Sequence, residues 1–455
     1  MSEEEVKDYY GDFANVRVPL HERRTMVNQL IVFLGVLAVW AAVFGGAALA
    51  TWFGAIDIII VSVLGCIVLG LLAFLTATIG GRTYASTYVI LRHSMGRAGA
   101  IIAGIVISGI SATLWFAFET WLFGVIMAGT FPGVPGMDVG TAAIWGGILM
   151  MITAAIGYRG LSVLSYFIVP AWFVIVTLAL TAAIDVSGGW AALLAARPPA
   201  PADIATGITF VVGLYIVGAT IAPDVTRFSR KPYDGAIAWF IHVVFFMPLI
   251  LAAGGFLQLL APGQNLVGFM VSMGMVWAVL LTGVLGQWTT NDNNLYSASL
   301  AWCNAVPKVK RVIWVIVMGV GGTAVAALIG YGYGVSLDAL LAFGTFLGTF
   351  IPPFTGVMIA DYFIVRPYIL GARDPRTRYP FGPGTEYAVI NWPAAVAVVV
   401  ASFLAWYVPQ LDSRIPAFLV GLLTSSLLHI VLMAVSKGAK IRWGVGRWVE
   451  TPTGW

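Results

Sequence analysis

The chain has 455 residues, of which 60% are hydrophobic and only 10% charged, with a formal net charge of +4. A soluble domain carries roughly 25% charged residues, so water is excluded as the main solvent. The sequence has no metal-ligand spacing, no phosphate-binding glycine loop and no Ser/His/Asp constellation, so a transported solute is expected rather than an enzyme with a resident cofactor.

The first residues, MSEEEVKDYYGDFANVRVPLHERR, are too acidic and run too long before the apolar stretch to be a cleaved signal peptide. Residues 1–27 are read as a cytoplasmic segment. Apolar stretches of about 20 residues then recur, enough to cross ~30 Å of hydrocarbon at ~1.5 Å rise per residue. Twelve transmembrane helices are expected, at 28–52, 55–80, 100–128, 141–157, 161–186, 203–222, 235–260, 270–300, 311–333, 337–364, 388–408 and 416–435. With the N-terminus inside, 22 of the 24 Lys and Arg fall on cytoplasmic segments, and only Arg197 and Arg414 lie outside. That bias sets orientation. It predicts a multi-pass protein of a bacterial-type inner membrane with both termini cytoplasmic, including a tail at 436–455. The positive charge reflects topology, and no nucleic-acid partner is read into it.

Ionisable residues inside a membrane are candidate functional groups. Glu119 sits near the middle of the third span in TLWFAFETW, with Trp115 four residues earlier on the same helical face. Such a pair can stack a flat ring and accept its N–H groups; the alternative is a carboxylate paired to a neighbouring helix. Asp224 and Asp361 end spans close to basic residues and read as ion pairs or caps, while His242 and His429 read as packing or interhelical hydrogen-bonding residues. Cys66 and Cys303 read as small apolar packing residues with no disulfide between them.

The run GQWTTNDNNLY, 286–296, places two hydroxyls, three asparagines and Asp292 between apolar flanks. Such a run is too costly to face lipid, so its helix must line a water-accessible site. The hydroxyls of Thr289 and Thr290, with carbonyls freed by an interrupted helix, suit a dehydrated Na⁺; bonding back to their own helix is the alternative. The first span carries Gly35 and the Gly45–Gly46 pair, and the sixth has Gly207, Gly213 and Gly218 around Tyr215 with Pro223 closing it. Interruptions five spans apart are the spacing expected of two five-helix inverted repeats.

Together with IAPDVTRFSR and PPFTGVMIADYF, the stretch WTTNDNNLY resembles the nucleobase:cation symporter-1 family, which includes cytosine permeases and hydantoin and allantoin transporters. The resemblance implies a LeuT-type 5+5 inverted repeat, 28–186 and 203–364, plus two C-terminal helices within 388–435, working by alternating access. It implies that a planar heterocycle is held between Trp115 and Tyr215, with Glu119, Asn291 and backbone near Gly218 as further contacts. It also implies a sodium site of the Thr289 and Thr290 hydroxyls with the carbonyls of Gly35, Ala38 and Gly286. Cytosine permeases are expected to carry glycine where Glu119 stands and serine where Leu214 stands, which puts plain cytosine in doubt.

The expected activity is therefore symport of a nucleobase or related planar N-heterocycle with Na⁺. H⁺ coupling through Glu119 or Asp292, and an amino-acid or amine symporter on the same core, are the alternatives. The expected partners are a small heterocycle and the lipid bilayer, and no oligomeric state follows from the sequence.

Overall fold

The computed structural model describes residues 13–439, apart from 159–164, 167–168, 170–171, 173, 175, 179, 182–183, 186–187, 199, 262–265, 335, 376–377, 381–384 and 386. Among these residues the backbone is almost wholly helical, with one isolated bridge pairing Arg24 and Ser229. That is the expected outcome for a chain in lipid, where helices satisfy their backbone polar groups internally.

The elements in order are α1 (Met26–Leu37), α2 (Trp40–Leu49), α3 (Ala55–Thr83) and α4 (Thr87–Thr130), followed by α5 (Val139–Ile156) and the short α6 (Gly189–Ala195). Then come α7 (Ile204–Thr220), α8 (Pro223–Thr226), α9 (Asp234–Leu260) and α10 (Gln287–Ala305), the last continuing Val276–Leu281 through a π-turn at Thr282–Gly286. The chain closes with α11 (Arg311–Gly332), α12 (Leu337–Ile369), α13 (Trp392–Leu411) and α14 (Ala417–Gly438). Three helix starts among the described residues carry a side-chain cap. Thr25 accepts from the Asn28 N–H, Asp138 from that of Thr141, and Ser336 from that of Ala339. The Thr141 backbone N–H holds the Asp138 carboxyl below its ordinary pKa.

Among the described residues nine helices are long and apolar enough to cross a membrane, or ten if the bent pair α1–α2 is one span. The eighth expected span, 270–300, corresponds to the polar helix around α10, and the fifth, 161–186, lies in large part outside the described residues. The described residues do not fix a count of twelve.

Two breaks differ from expectation in position. Helices α1 and α2 meet at 56°, and the residues between them are Ala38 (φ −72°, ψ 58°) and the extended Val39 (φ −132°, ψ 144°). The break falls between the expected glycines, not on them. In the sixth span α7 ends at Ile221 (φ −91°, ψ 11°) with Pro223 opening α8, so Gly207, Gly213 and Gly218 all stay helical. Those glycines serve close approach instead. A Cβ on Gly213 would collide with the Gly344 carbonyl of α12, and one on Gly46 with that of Leu251 in α9.

Helix α7 packs between α3 and α12, α2 packs on α9, and α4 packs on α5, α10 and α11. Helices α13 and α14 pack chiefly on each other and on α12. Their exposed Val399, Phe403, Leu427 and Val435 present an apolar outer surface suited to lipid. The basic segments gather at one end. Val18 donates to the Tyr84 carbonyl, Arg24 to that of Phe228, Asn15 to that of Cys303 and Arg17 to that of Tyr379.

Candidate functional site

Helices α1, α2, α4, α7, α9 and α10 line a cavity of about 70 Å³. That is several times the ~10–15 Å³ one water requires on the same measure, and it suits a small solute. Trp115 and Glu119 reach it from α4, and Tyr215 and Gly218 from α7. The four-residue spacing on α4 does put plate and carboxylate on one face. Leu214, Thr290, Asn293 and Asn294 also line it.

Each aromatic is backed by other rings. Trp115 packs on Phe343 (5.3 Å between centroids) and Phe118 (5.8 Å), while Tyr215 stacks on Trp239 at 5.1 Å and 26°. Gly218 controls the second ring, since a Cβ there would lie 2.6 Å from Tyr215 Cε2. Glu119 is buried, 2% exposed. Gln287 Nε2 donates to its Oε2 at 2.7 Å and to its backbone carbonyl at 3.0 Å. Both readings of this carboxylate thus meet here: it lines the cavity and it is hydrogen-bonded to a neighbouring helix.

Asn291 is not brought to the cavity. Its carboxamide nitrogen donates to Thr120 Oγ1 (2.9 Å), the Phe116 carbonyl (3.3 Å) and Met150 Sδ (3.1 Å), on the side of α10 facing α4 and α5. Successive helical residues diverge by about 100°, and the rotation of α10 presents Asn293 and Asn294 to the cavity instead.

Beside the cavity, α10 clasps the last turn of α1. Thr289 Oγ1 donates to the Gly35 carbonyl (2.8 Å) and the Gly286 carbonyl (2.9 Å); Thr290 Oγ1 donates to the carbonyls of Val36 (2.7 Å) and Gly286 (3.3 Å). The Ala38 carbonyl faces Gly286, where a Cβ would strike it. Two hydroxyls and four carbonyls therefore converge at the first break, the all-oxygen, uncharged donor set a hard monovalent cation needs. No cluster of His, Cys, Asp or Glu that could hold a metal ion is found among the described residues. Val36 went unpredicted, as did Gln287, whose only signal was its place in the same polar run one turn before Asn291.

The other ionisable residues take mainly structural places. Asp361 accepts from Arg366 Nε (3.0 Å), Tyr379 (2.7 Å) and His429 (3.3 Å), joining α12, α14 and the following loop. Asp224 accepts from the Thr87 N–H at the start of α4 (2.8 Å). His242 stacks on Phe33. Among the described residues Asp292 accepts from Thr153 (2.6 Å), and its buried Oδ2 has no hydrogen-bond partner there. Both cysteines are buried and neither is in a disulfide.

Residues 17–446 match the family model for permeases of cytosine/purines, uracil, thiamine and allantoin. The chain is 26% identical to a cytosine permease of Escherichia coli K12 over 427 residues, 93% of this chain and 95% of that one. It is 24% identical to a hydantoin permease of Microbacterium maritypicum, covering 87% and 83% of the two chains. A nucleobase-cation-symport-1 family transporter, solved closed with bromovinylhydantoin bound, superposes with TM-score 0.79 at 19% identity over 94% of this chain and 96% of that one. A Na⁺-coupled sialic acid symporter in a substrate-bound outward-open state gives TM-score 0.63 at 15% identity, over 96% and 93%. The fold is the expected all-α, LeuT-type one, and the molecule is a multi-pass membrane transporter, not an enzyme. With the match spanning nearly its whole length, the chain belongs to the nucleobase:cation symporter-1 family of cytosine, purine and related permeases.

Proposed function

We propose that this chain is a secondary symporter importing a planar N-heterocycle together with Na⁺ across a bacterial-type inner membrane, with both termini cytoplasmic. The observation that carries this reading is the shared wall. Thr290 lines the cavity of Trp115, Glu119 and Tyr215, and its hydroxyl also contacts the Val36 carbonyl at the oxygen cluster. The relatives and the family model named above supply the ligand classes: cytosine and hydantoin for the permeases, allantoin in the family description, sodium for the sialic acid symporter.

The ring stacks between Trp115 and Tyr215 and donates an N–H or NH₂ to Glu119 Oε1, which takes no hydrogen bond from the described residues. A ring with adjacent donors, such as guanine, or one bearing positive charge suits a carboxylate better than cytosine does. Na⁺ is a co-substrate: it takes the carbonyls of Gly35, Val36 and Gly286 from the threonine protons and fixes the angle between α1 and α2. Alternating access then moves both ligands together.

A proton is the alternative coupling ion, favoured by the single Thr153 partner of Asp292. Uptake of guanine, cytosine and hydantoin into proteoliposomes decides. A sodium gradient should drive accumulation of at least one of them, and Thr289→Ala should lower it about tenfold or more. Accumulation driven equally in choline by a pH gradient contradicts sodium coupling.

A further inference from the structure

Gln287 occupies a position no motif assigns, and it holds three parts of the machinery at once. Its amide nitrogen donates to Glu119 Oε2 (2.7 Å) and to the Glu119 carbonyl (3.0 Å). Its amide oxygen accepts the backbone N–H of Trp40 at 3.0 Å. Trp40 is the first residue of α2, immediately after the break, where an N–H has no carbonyl of its own helix to reach. The residue before it, Val39, offers no side-chain cap. A side chain from a different helix does the capping. The orientation of the amide is set by chemistry, because the flipped form would oppose oxygen to carboxylate and NH₂ to N–H. Gln287 itself is fully buried.

The same helix grips the other side of the break. Thr289 and Thr290 hold the Gly35 and Val36 carbonyls, and Thr282 accepts from the Trp40 indole at 3.0 Å. Between Val36 and Trp40 there are only three residues. Whatever resets the carbonyls of α1 therefore moves the Trp40 N–H, and with it the amide that fixes the Glu119 carboxylate. A carboxylate held through one oxygen has a fixed direction for the other, and a donor on a bound ring requires that direction.

We infer that Gln287 is a positioning residue: it transmits the state of the α1–α2 break, set by the cation, to the Glu119 carboxylate that selects the ring. This rests on the transport reading above and adds the link between its two ligand sites. Reciprocal coupling between two sites is typically about 5- to 150-fold, and that factor passes in large part through this amide.

The test compares four forms of the purified full-length chain: the parent, Gln287→Ala, Glu119→Gln, and Glu119→Gln combined with Gln287→Glu. The last exchanges amide and carboxylate, so a hydrogen bond between positions 119 and 287 and an acceptor for Trp40 are both retained. Binding of guanine, cytosine and hydantoin is measured in NaCl and in choline chloride at equal ionic strength, and the ratio of the two affinities is the sodium factor. Hydrogen exchange of the 38–44 peptide without any ring gives a second readout. The sodium factor should fall below about 2 in Gln287→Ala and recover in the exchanged pair, while ring preference stays altered because position 119 has lost its charge. Exchange at 38–44 should be at least about tenfold faster in Gln287→Ala and slow again in the exchanged pair, a readout that stands even where that pair binds none of the three rings. A simple loss of packing would not be rescued in this way. A parent chain that binds none of the rings overturns the transport reading and this inference with it. A parent sodium factor and slow exchange that survive in Gln287→Ala, or an exchanged pair no better than Gln287→Ala, overturn the inference alone.

Discussion

At the scale of single residues, recognition in the proposed site divides between a tolerant part and a selective part. Stacking on Trp115 and Tyr215 accepts any flat ring, because every such ring has a π-face, and is worth about 1–3 kcal/mol per base by truncation. Trp115→Ala should therefore weaken every ring by roughly 5- to 150-fold, while leaving expression nearly unchanged since its face points into a cavity. Hydrogen bonds discriminate more sharply, because an unmatched buried polar group is costly. Glu119→Gln should thus reorder a competition panel of guanine, cytosine, hydantoin and free amino acids instead of lowering all of it evenly. Uniform weakening would remove Glu119 from selection, and displacement by amino acids would favour the alternative substrate class. That Trp115 and Glu119 share a face was legible from their four-residue spacing in an apolar span, while Tyr215 was named by the family resemblance; all three line the one cavity. Asn291 was named by the resemblance and hydrogen-bonds toward α4 and α5; the six consecutive polar residues 289–294 cover every direction around a helix, and only the rotation of α10 brings 293 and 294 to the cavity.

At the scale of elements, the run GQWTTNDNNLY did forecast a helix lining a polar interior, and α10 provides it. The positions of the breaks were not legible. Glycine signals both flexibility and close packing, and here Gly46 and Gly213 do the packing while the first span bends at Ala38 and Val39. A bend at alanine and valine is stabilised from outside, by Gln287 on one side and the two threonines on the other, and such support is invisible in a local sequence pattern. Gln287 was overlooked for the same reason, since its role lies in contacts with residues 168 and 247 positions away. The packing assignment has its own test. Gly213→Val should force α7 away from α12 and cost about 1–3 kcal/mol by overpacking, read as a lower thermal unfolding midpoint without any ligand. An unchanged midpoint would show that this contact is loose.

At the scale of the whole molecule, composition alone identified a polytopic helical protein, and basic residues gave an expected direction across the membrane. The N-terminal segment meets the loops at Tyr84, Phe228, Cys303 and Tyr379, so five basic segments share one end. Ser413 and Asp203 are hydrogen-bonded in the sparsely charged segments between other helices. A cysteine at Ser413 should react with an impermeant maleimide on intact cells, and one at Lys308 only after permeabilisation; the reverse pattern would invert the orientation. In the proposed symport α10 serves two sites with one surface, so each ligand is expected to raise the affinity of the other by the same factor. Calorimetric titration of the purified chain measures this directly: a heterocycle from the panel titrated with and without sodium, and sodium titrated with and without that heterocycle. Both affinities are predicted to rise by one common factor of about 5- to 150-fold, and heterocycle binding that is tight but indifferent to sodium would contradict the account.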